Sequence, residues 1–222
     1  MGWLQRPIHC CKVRYIHFAM RAHPSSIEVN LMVVIRSKRL LLQEFRENDW
    51  QKVHSYASDP EVVRYMDWGP NAEEETKAFI SRSISSQKEK PRKRYTLAIT
   101  LKEENKLIGS CDLCVESPEN KEGWIGYCLN RQFWRRGYAT ETAQALLEFG
   151  FQQLSLHRIF AAVDPDNIGS IRVLEKTGMQ YEGHLREHKW AKGRWRDSLL
   201  YAILENEWKR TRAHAQERKK GR

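Results

Sequence analysis

The chain has 222 residues, a formal net charge of +10 and a mean hydropathy of −0.70. No apolar run approaches the roughly 18 residues of a membrane-spanning helix. Five cysteines, an odd and modest number, exclude a disulfide scaffold. At roughly 150 residues per domain, the length implies one domain with extensions. The positive charge sits at the ends. Residues 1–31 carry Arg6, Lys12, Arg14 and Arg21 against Glu28, and residues 208–222 carry seven basic side chains against Glu217. The segment between them is within one charge of neutral. A nucleic-acid-binding role would therefore rest on the tails, and basic tails are ordinarily solvated ends.

Residues 1–31 read as a leader, either disordered or upstream of a natural start at Met32. They lack the apolar core of a secretory signal, and Arg6 stands where a myristoylation motif needs Ser or Thr. Organised sequence begins with Val33-Val34-Ile35, and Leu40–Phe45 reads as a strand. Asn48-Asp49 offers an N-cap to a short helix through Ala57 that Pro60 closes, and Glu61–Met66 adds a further helical turn. Asn71 is a cap for a helix through about Ser85, with Glu73, Glu74 and Glu75 where the helix dipole favours acids. The charged run 87–94 is a loop. Strands are expected at Tyr95–Leu101, Lys106–Val115 and Gly123–Leu129.

The period then changes. Ala139, Ala143, Leu146, Leu147, Gly150 and Leu154 fall at helical spacing. Arg158–Val163 is a buried-type strand. Asp166 or Asn167 caps a helix through Lys176, which Gly178 ends. Tyr181–Trp190 and Trp195–Leu204 form a final hairpin. The order β-α-α-β-β-β-α-β-α-β-β describes a mixed α+β sheet. The boundaries are a leader (1–31), a domain (32–208) and a basic tail (209–222), the tail disordered or a frayed helix.

The segment that carries chemistry runs from Ile125 to Glu141. A strand ends, a basic glycine-containing turn follows, and a helix begins. That order presents free N–H groups and a positive helix end to an anion. Arg135 and Arg136 add charge, and Gly137 lets the main chain approach a phosphate. Lacking Gly-Lys-Ser/Thr, it is no P-loop, and lacking two further glycines it is no dinucleotide fingerprint. On physics alone it is a pyrophosphate cradle or an ordinary strand-to-helix turn with solvated arginines.

Trp134-Arg135-Arg136-Gly137-Tyr138-Ala139 resembles the acetyl-coenzyme A loop of the GNAT N-acetyltransferase superfamily, Gln/Arg-x-x-Gly-x-Gly/Ala. Trp134 departs from the general pattern and is familiar in the ribosomal-protein N-acetyltransferase (RimJ/RimL-like) branch. Asn167-Ile168-Gly169-Ser170 followed by Val173-Leu174-Glu175-Lys176-Thr177-Gly178-Met179 resembles that family's Asn-x-x-Ser-x-x-Val-Leu-Glu-Lys-x-Gly-Phe segment. Gly193–Asp197 with Tyr201 resembles its C-terminal hairpin. The likeness spans about residues 37–208.

The resemblance implies a single GNAT-type domain: a mixed, mostly antiparallel twisted sheet split in a V, with helices on both faces. It implies acetyl-coenzyme A as acetyl donor and a primary-amine acceptor, foremost a protein or peptide N-terminal α-amine. Pantetheine would pair with main chain at Cys128, Leu129 and Asn130. Pyrophosphate would sit on Arg135, Arg136, Gly137, Tyr138, Ala139 and Thr140. Asn167 would hold the pantetheine arm, and Arg172 and Lys176 are candidates for the outer phosphate. Many relatives place an acidic Tyr where this chain has Leu174, which makes Ser170 the candidate proton donor to the thiolate. Glu122, Glu187 and His188 are the candidate bases; an amine must lose a proton before attack. A cytoplasmic location and a possible homodimer follow from the same likeness, with no membrane association and no metal.

Other readings stay open: a small-molecule amine (polyamine, amino acid or drug) acetyltransferase, or a non-catalytic coenzyme A-binding regulator. Cys111-Asp112-Leu113-Cys114 has redox or metal spacing, but in a strand its sulfurs lie on opposite faces. Trp68, Trp124, Trp190 and Trp195 fall in or near segments expected around an acceptor cleft. If Met32 is the natural start, the intact mass of natively expressed protein lacks residues 1–31. A mass matching the full chain excludes that start.

Overall fold

A computed structural model describes residues 32–220, with side chains described through residue 213. The expectations for residues 1–31 lie outside the described residues. The strands are β1 (Val34–Arg36), β2 (Leu40–Glu44), β3 (Arg94–Leu101), β4 (Lys106–Ser117), β5 (Glu122–Leu129), β6 (Arg158–Val163), β7 (Gln180–Ala191) and β8 (Arg194–Leu204). The helices are α1 (Trp50–Ala57), α2 (Pro60–Val63), α3 (Glu73–Ser86), α4 (Tyr138–Gln152), α5 (Ile168–Lys176) and α6 (Glu205–Lys220). Among the described residues no helix is long and apolar enough to cross a membrane.

All eight strands form one sheet in the order β1-β2-β3-β4-β5-β6-β8-β7. Every pairing is antiparallel except β5 with β6. This is the expected mixed α+β sheet with helices on both faces. Alternation along β4 sorts the cysteines: Cys111 and Leu113 are fully buried in the main core, while Cys114 lies half-buried on the other face. Under α4 the core takes Ala143, Leu146 and Leu147, the stripe that helical spacing predicts. A second, smaller core of Phe45, Val53, Tyr56, Val63 and Ile80 lies under α1–α3.

Several local details differ from the sequence reading. Pro60 opens α2 instead of only ending α1; the Asp59 carboxylate accepts the Glu61 N–H at 3.0 Å, and proline suits the first helical position. Asp49 does not cap α1, since its carboxylate turns back to the Arg46 N–H at 3.1 Å inside a short 3-10 turn. The cap position of α3 is Ala72, whose N–H donates to Glu75 at 2.7 Å, not Asn71. Of the two expectations for the tail, disorder or a frayed helix, the structure has helix, running from Glu205 to Lys220. Its docking residues explain this: Trp208 packs on Phe151 with ring centroids 5.2 Å apart, and Arg212 pairs with Glu148 at 2.8 Å.

Leu113 is completely buried between the sheet and α4. Leu113→Ala is expected to cost about 2–5 kcal/mol of stability through lost burial and a residual cavity. Cys114→Ala, on the other face, is expected to cost well under half of that. Chemical denaturation of the two variants checks the face assignment.

Candidate active site

β5 and β6 pair over only three residue pairs, Glu122–Arg158, Gly123–Ile159 and Trp124–Phe160. Beyond them the strands part. β5 stays bonded to β4 as far as Leu129, and β6 stays bonded to β8 as far as Val163. Their facing edges thus keep backbone groups with no strand to receive them, a gap shaped for an added extended chain. The closed end is pinned by Arg158, whose guanidinium holds both Glu122 and Glu182. Glu122 is therefore engaged at the closed end, and the structure does not bring it into the cleft.

At the open end the chain makes a 3-10 turn, Arg131–Phe133, and enters α4 through Gly137. Gly137 has φ +78°, a left-handed conformation that glycine adopts without strain. Arg135, at φ +59°, shares it. Arg135, Arg136 and Gly137 are exposed, and Tyr138, Ala139 and Thr140 form the half-buried first turn. The first backbone bond of the helix is Glu141 N–H to Gly137 O, at 3.0 Å, so the three preceding amides have no described acceptor. The structure thus sets these helix-start amides beside two exposed arginines, the arrangement the sequence expectation describes.

The sequence reading missed what holds this loop. Arg39, in the β1–β2 turn, donates to Arg136 O at 3.0 Å and to Glu141 Oε2 at 2.7 Å, and its guanidinium stacks 4.4 Å above the Tyr138 ring. The Arg39 N–H and the Ser37 hydroxyl complete the grip on Glu141, at 2.6 and 2.8 Å. Burial raises the Glu141 pKa, but the Arg39 N–H and guanidinium and the Ser37 hydroxyl outweigh it and hold the carboxyl below its ordinary range. Only an unpaired carboxylate in the first turn of α4 hinted at this partner.

Of the three residues expected to pair with pantetheine, two have their groups engaged. The Asn130 N–H donates to Ile108 O at 2.9 Å and its side chain caps the 3-10 turn through Gln132 N–H at 3.0 Å. The Leu129 carbonyl accepts the Trp134 indole N–H at 2.8 Å. Cys128 is buried at the cleft floor, and burial pushes its thiol up to about 12.

α5 begins beside the split. Asn167 is its N-cap, its side-chain oxygen accepting the Ser170 N–H at 3.1 Å. The Ser170 hydroxyl lies 2.8 Å from the Tyr127 hydroxyl, which reaches it from β5. Burial raises Tyr127 to about 12, and the Ser170 bond works against the rise. Tyr127 was missed because nothing in linear order links it to Ser170, 43 residues away. Leu174 is fully buried in the main core, as a leucine would be. Arg172 and Lys176 are exposed one helical turn apart.

On the opposite face of the sheet lies a cleft of about 910 Å³, walled by α1, α3 and the 66–71 loop and floored by β3–β5. His188 and Lys189 of β7 also line it. The far hairpin is tied over this wall by Lys192 to Val63 O at 2.7 Å and Arg196 to Met66 O at 3.2 Å. His188 Nδ1 lies 3.0 Å from the Ser198 hydroxyl. Glu187 sits in a bulge at φ +50°, its N–H donating to Asp197 at 2.8 Å, and does not line the cleft. Among the three candidate bases, His188 alone lines the cleft. Trp68 and Trp124 line it too, whereas Trp190 and Trp195 pair with each other at 5.4 Å on the exposed hairpin.

Comparison with known proteins places the fold. The family model described as "Acetyltransferase (GNAT) domain" matches residues 39–180. An uncharacterised N-acetyltransferase of Bacillus subtilis, YnaD, is 40% identical over 174 residues, covering 78% of this chain and 98% of that protein. The crystal structure of a GNAT-family acetyltransferase from Bacillus anthracis aligns with TM-score 0.70 at 35% identity, over 78% of this chain and 99% of the other. Mycobacterium smegmatis RimJ, in complex with a coenzyme A disulfide, shares the fold at TM-score 0.69 and 24% identity, over 79% and 88% of the two chains.

The Glu141 carboxyl is held below its ordinary value in the folded protein. Its contribution to stability is therefore complete above the usual carboxylate range and is lost as pH falls through the lowered value. Glu141→Gln is expected to cost about 1 kcal/mol near neutral pH, discounted for the partly exposed arginine. The gap between wild type and variant should close in acid, which thermal melts across pH will measure.

Proposed function

Because this chain belongs to the GNAT family of acetyl-coenzyme A-dependent N-acetyltransferases, we propose that it acetylates a protein or peptide N-terminal α-amine by direct transfer across the split between β5 and β6. The observation that carries this is the early end of the β5–β6 pairing beside the unpartnered first amides of α4. Acetyl-coenzyme A supplies a thioester carbonyl open to attack by an amine. The remaining chemistry belongs to the chain.

The Tyr138, Ala139 and Thr140 amides, with Arg135 and Arg136, take the pyrophosphate, and Gly137 leaves room for it. The edge of β5 near Cys128 receives the pantetheine arm, with the Asn130 N–H and the Leu129 carbonyl left to their internal partners. The Asn167 side-chain oxygen is engaged, but its NH2 remains a donor for that arm. Arg172 and Lys176 face an outer phosphate. His188 takes the amine proton, its ring held by Ser198. Ser170 gives a proton to the departing thiolate while Tyr127 holds its hydroxyl in place. The Trp134–Ala139 loop, whose Trp resembles the RimJ/RimL-like branch, is what favours the α-amine acceptor. The free thiols of Cys111, Cys114 and Cys128 suit a reducing cytoplasm.

Calorimetry tests the donor site. Wild type is expected to bind acetyl-coenzyme A saturably, and Gly137→Glu, which sets bulk and negative charge at the cradle, to bind it at least ~100-fold more weakly with its fold intact. Ser170→Ala should keep that binding and lose ~10²-fold in kcat on an alanine-leading peptide. No binding by folded wild type would overturn the reading. Turnover of spermidine with none of the peptide would move the acceptor to small amines.

A further inference from the structure

The cleft floor carries a carboxylate for which the proposed chemistry has so far given no use. Asp112 stands on β4 in register with Gly126 of β5, and Gly126 borders the split. A Cβ at Gly126 would meet only the Trp124 ring within 4 Å, at 3.7 Å, so the space directly over Gly126 is bordered by that ring. One oxygen of Asp112 is engaged: Oδ1 accepts the Thr96 hydroxyl at 2.6 Å and Arg94 Nε at 3.2 Å. Oδ2 has no described partner. The Asp112 side chain is 21% exposed, which shields the carboxylate from bulk water without sealing it.

Two hydroxyls flank it. Ser110 lies two residues earlier on the same face of β4 and lines the cleft. Tyr56, from α1, is 1% exposed, and its hydroxyl makes no well-formed hydrogen bond with a described residue. Tyr56, Ser110 and Asp112 all line the same cleft, and burial drives the Tyr56 phenol up. A protonated primary amine has three N–H donors and no acceptor. One free carboxylate oxygen and two hydroxyls with spare lone pairs are the complement of that pattern. Charge agrees with it. The floor carries Asp112 and Glu116 against Arg94 alone, one anion in excess. Glu116 is itself held by the Trp124 indole at 3.0 Å and keeps that ring beside the opening.

We infer that Asp112, with Tyr56 and Ser110, is the recognition site for the acceptor's ammonium group and selects primary amines that carry an apolar substituent. This assignment deepens the acetyltransferase reading and rests on it. Asp112 binds the charged form and positions its nitrogen one strand from the split; loss of the proton is a separate, later event. An apolar substituent then lies against Trp124 and Phe160. Asp112 is separated from any such carboxylate motif in sequence by being the x of a C-x-x-C, which drew attention to the sulfurs instead.

The test uses 2-phenylethylamine and its neutral isostere 2-phenylethanol, titrated by NMR into the full chain with and without coenzyme A. Wild type should bind the amine at least ~10-fold more tightly than the alcohol. Asp112→Asn should bring that ratio below about 3 with alcohol binding unchanged. Tyr56→Phe removes a buried hydroxyl without a well-formed partner, so it should fold at least as well as wild type and weaken amine binding ~3-fold or more. A ratio that survives both substitutions, or is absent in wild type, overturns the assignment. Failure of coenzyme A to bind would instead count against the acetyltransferase reading, since the titration without coenzyme still reads Asp112.

Discussion

Everything distinctive in this molecule depends on where one pair of strands stops pairing. β5 and β6 are parallel neighbours for three residue pairs and then separate, each still bonded along its outer edge. A backbone edge inside a fold is costly unless something receives its N–H and C=O groups. No other strand of the sheet can fill the gap, because β5 and β6 are neighbours in the eight-strand order and nothing stands between them. Arg158, gripping Glu122 and Glu182, pins the closed end, two residue pairs before the gap begins.

The gap joins two faces with different chemistry. Successive residues of a strand point to opposite sides, so Tyr127 meets Ser170 on the α5 side while Gly126 leaves space on the cleft side. The start of α4 presents main-chain amides, whose direction is set by the left-handed turn at Gly137 and by the Arg39–Glu141 clamp. The cleft is made of side chains, with aromatic walls and a carboxylate on its floor. In the proposed reaction a polyanionic donor and a cationic acceptor approach from opposite sides of one sheet. Each then meets the charge it needs without crossing the other's field, and the strand separation joins the two sides.

The surplus of positive charge at the two ends says nothing of either face. The central segment is within one charge of neutral, and its charges are spent locally. Arg39, Arg158 and Arg196 are each bound to carboxylates and to carbonyls or neighbouring strands, so they act as cross-links. Arg196, held by Asp164 and by Met66 O, ties the last hairpin to the α2–α3 loop, which keeps His188 on the cleft wall.

Periodicity alone determined the alternation of strands and helices, the stripe of α4 and the opposite faces of Cys111 and Cys114, because each depends on a repeat of two or 3.6 residues along the chain. The order strand, basic glycine turn, helix likewise determined the free amides at the start of α4, since a helix start leaves its own amides unpaired. Tertiary structure decided what those rules do not reach. Pro60 and Asp49 took other local partners, and α6 gained its order from Phe151 and Glu148. Glu122 and Glu187 were drawn into contacts away from the cleft, while His188 was left on it. Asp112, Tyr56, Tyr127 and Arg39 became visible only once strands from distant parts of the chain lay side by side. The physical reason is range: a backbone preference is settled within a few residues, but a charge or hydroxyl is defined by whatever stands within about 3 Å of it, and only the folded sheet fixes that.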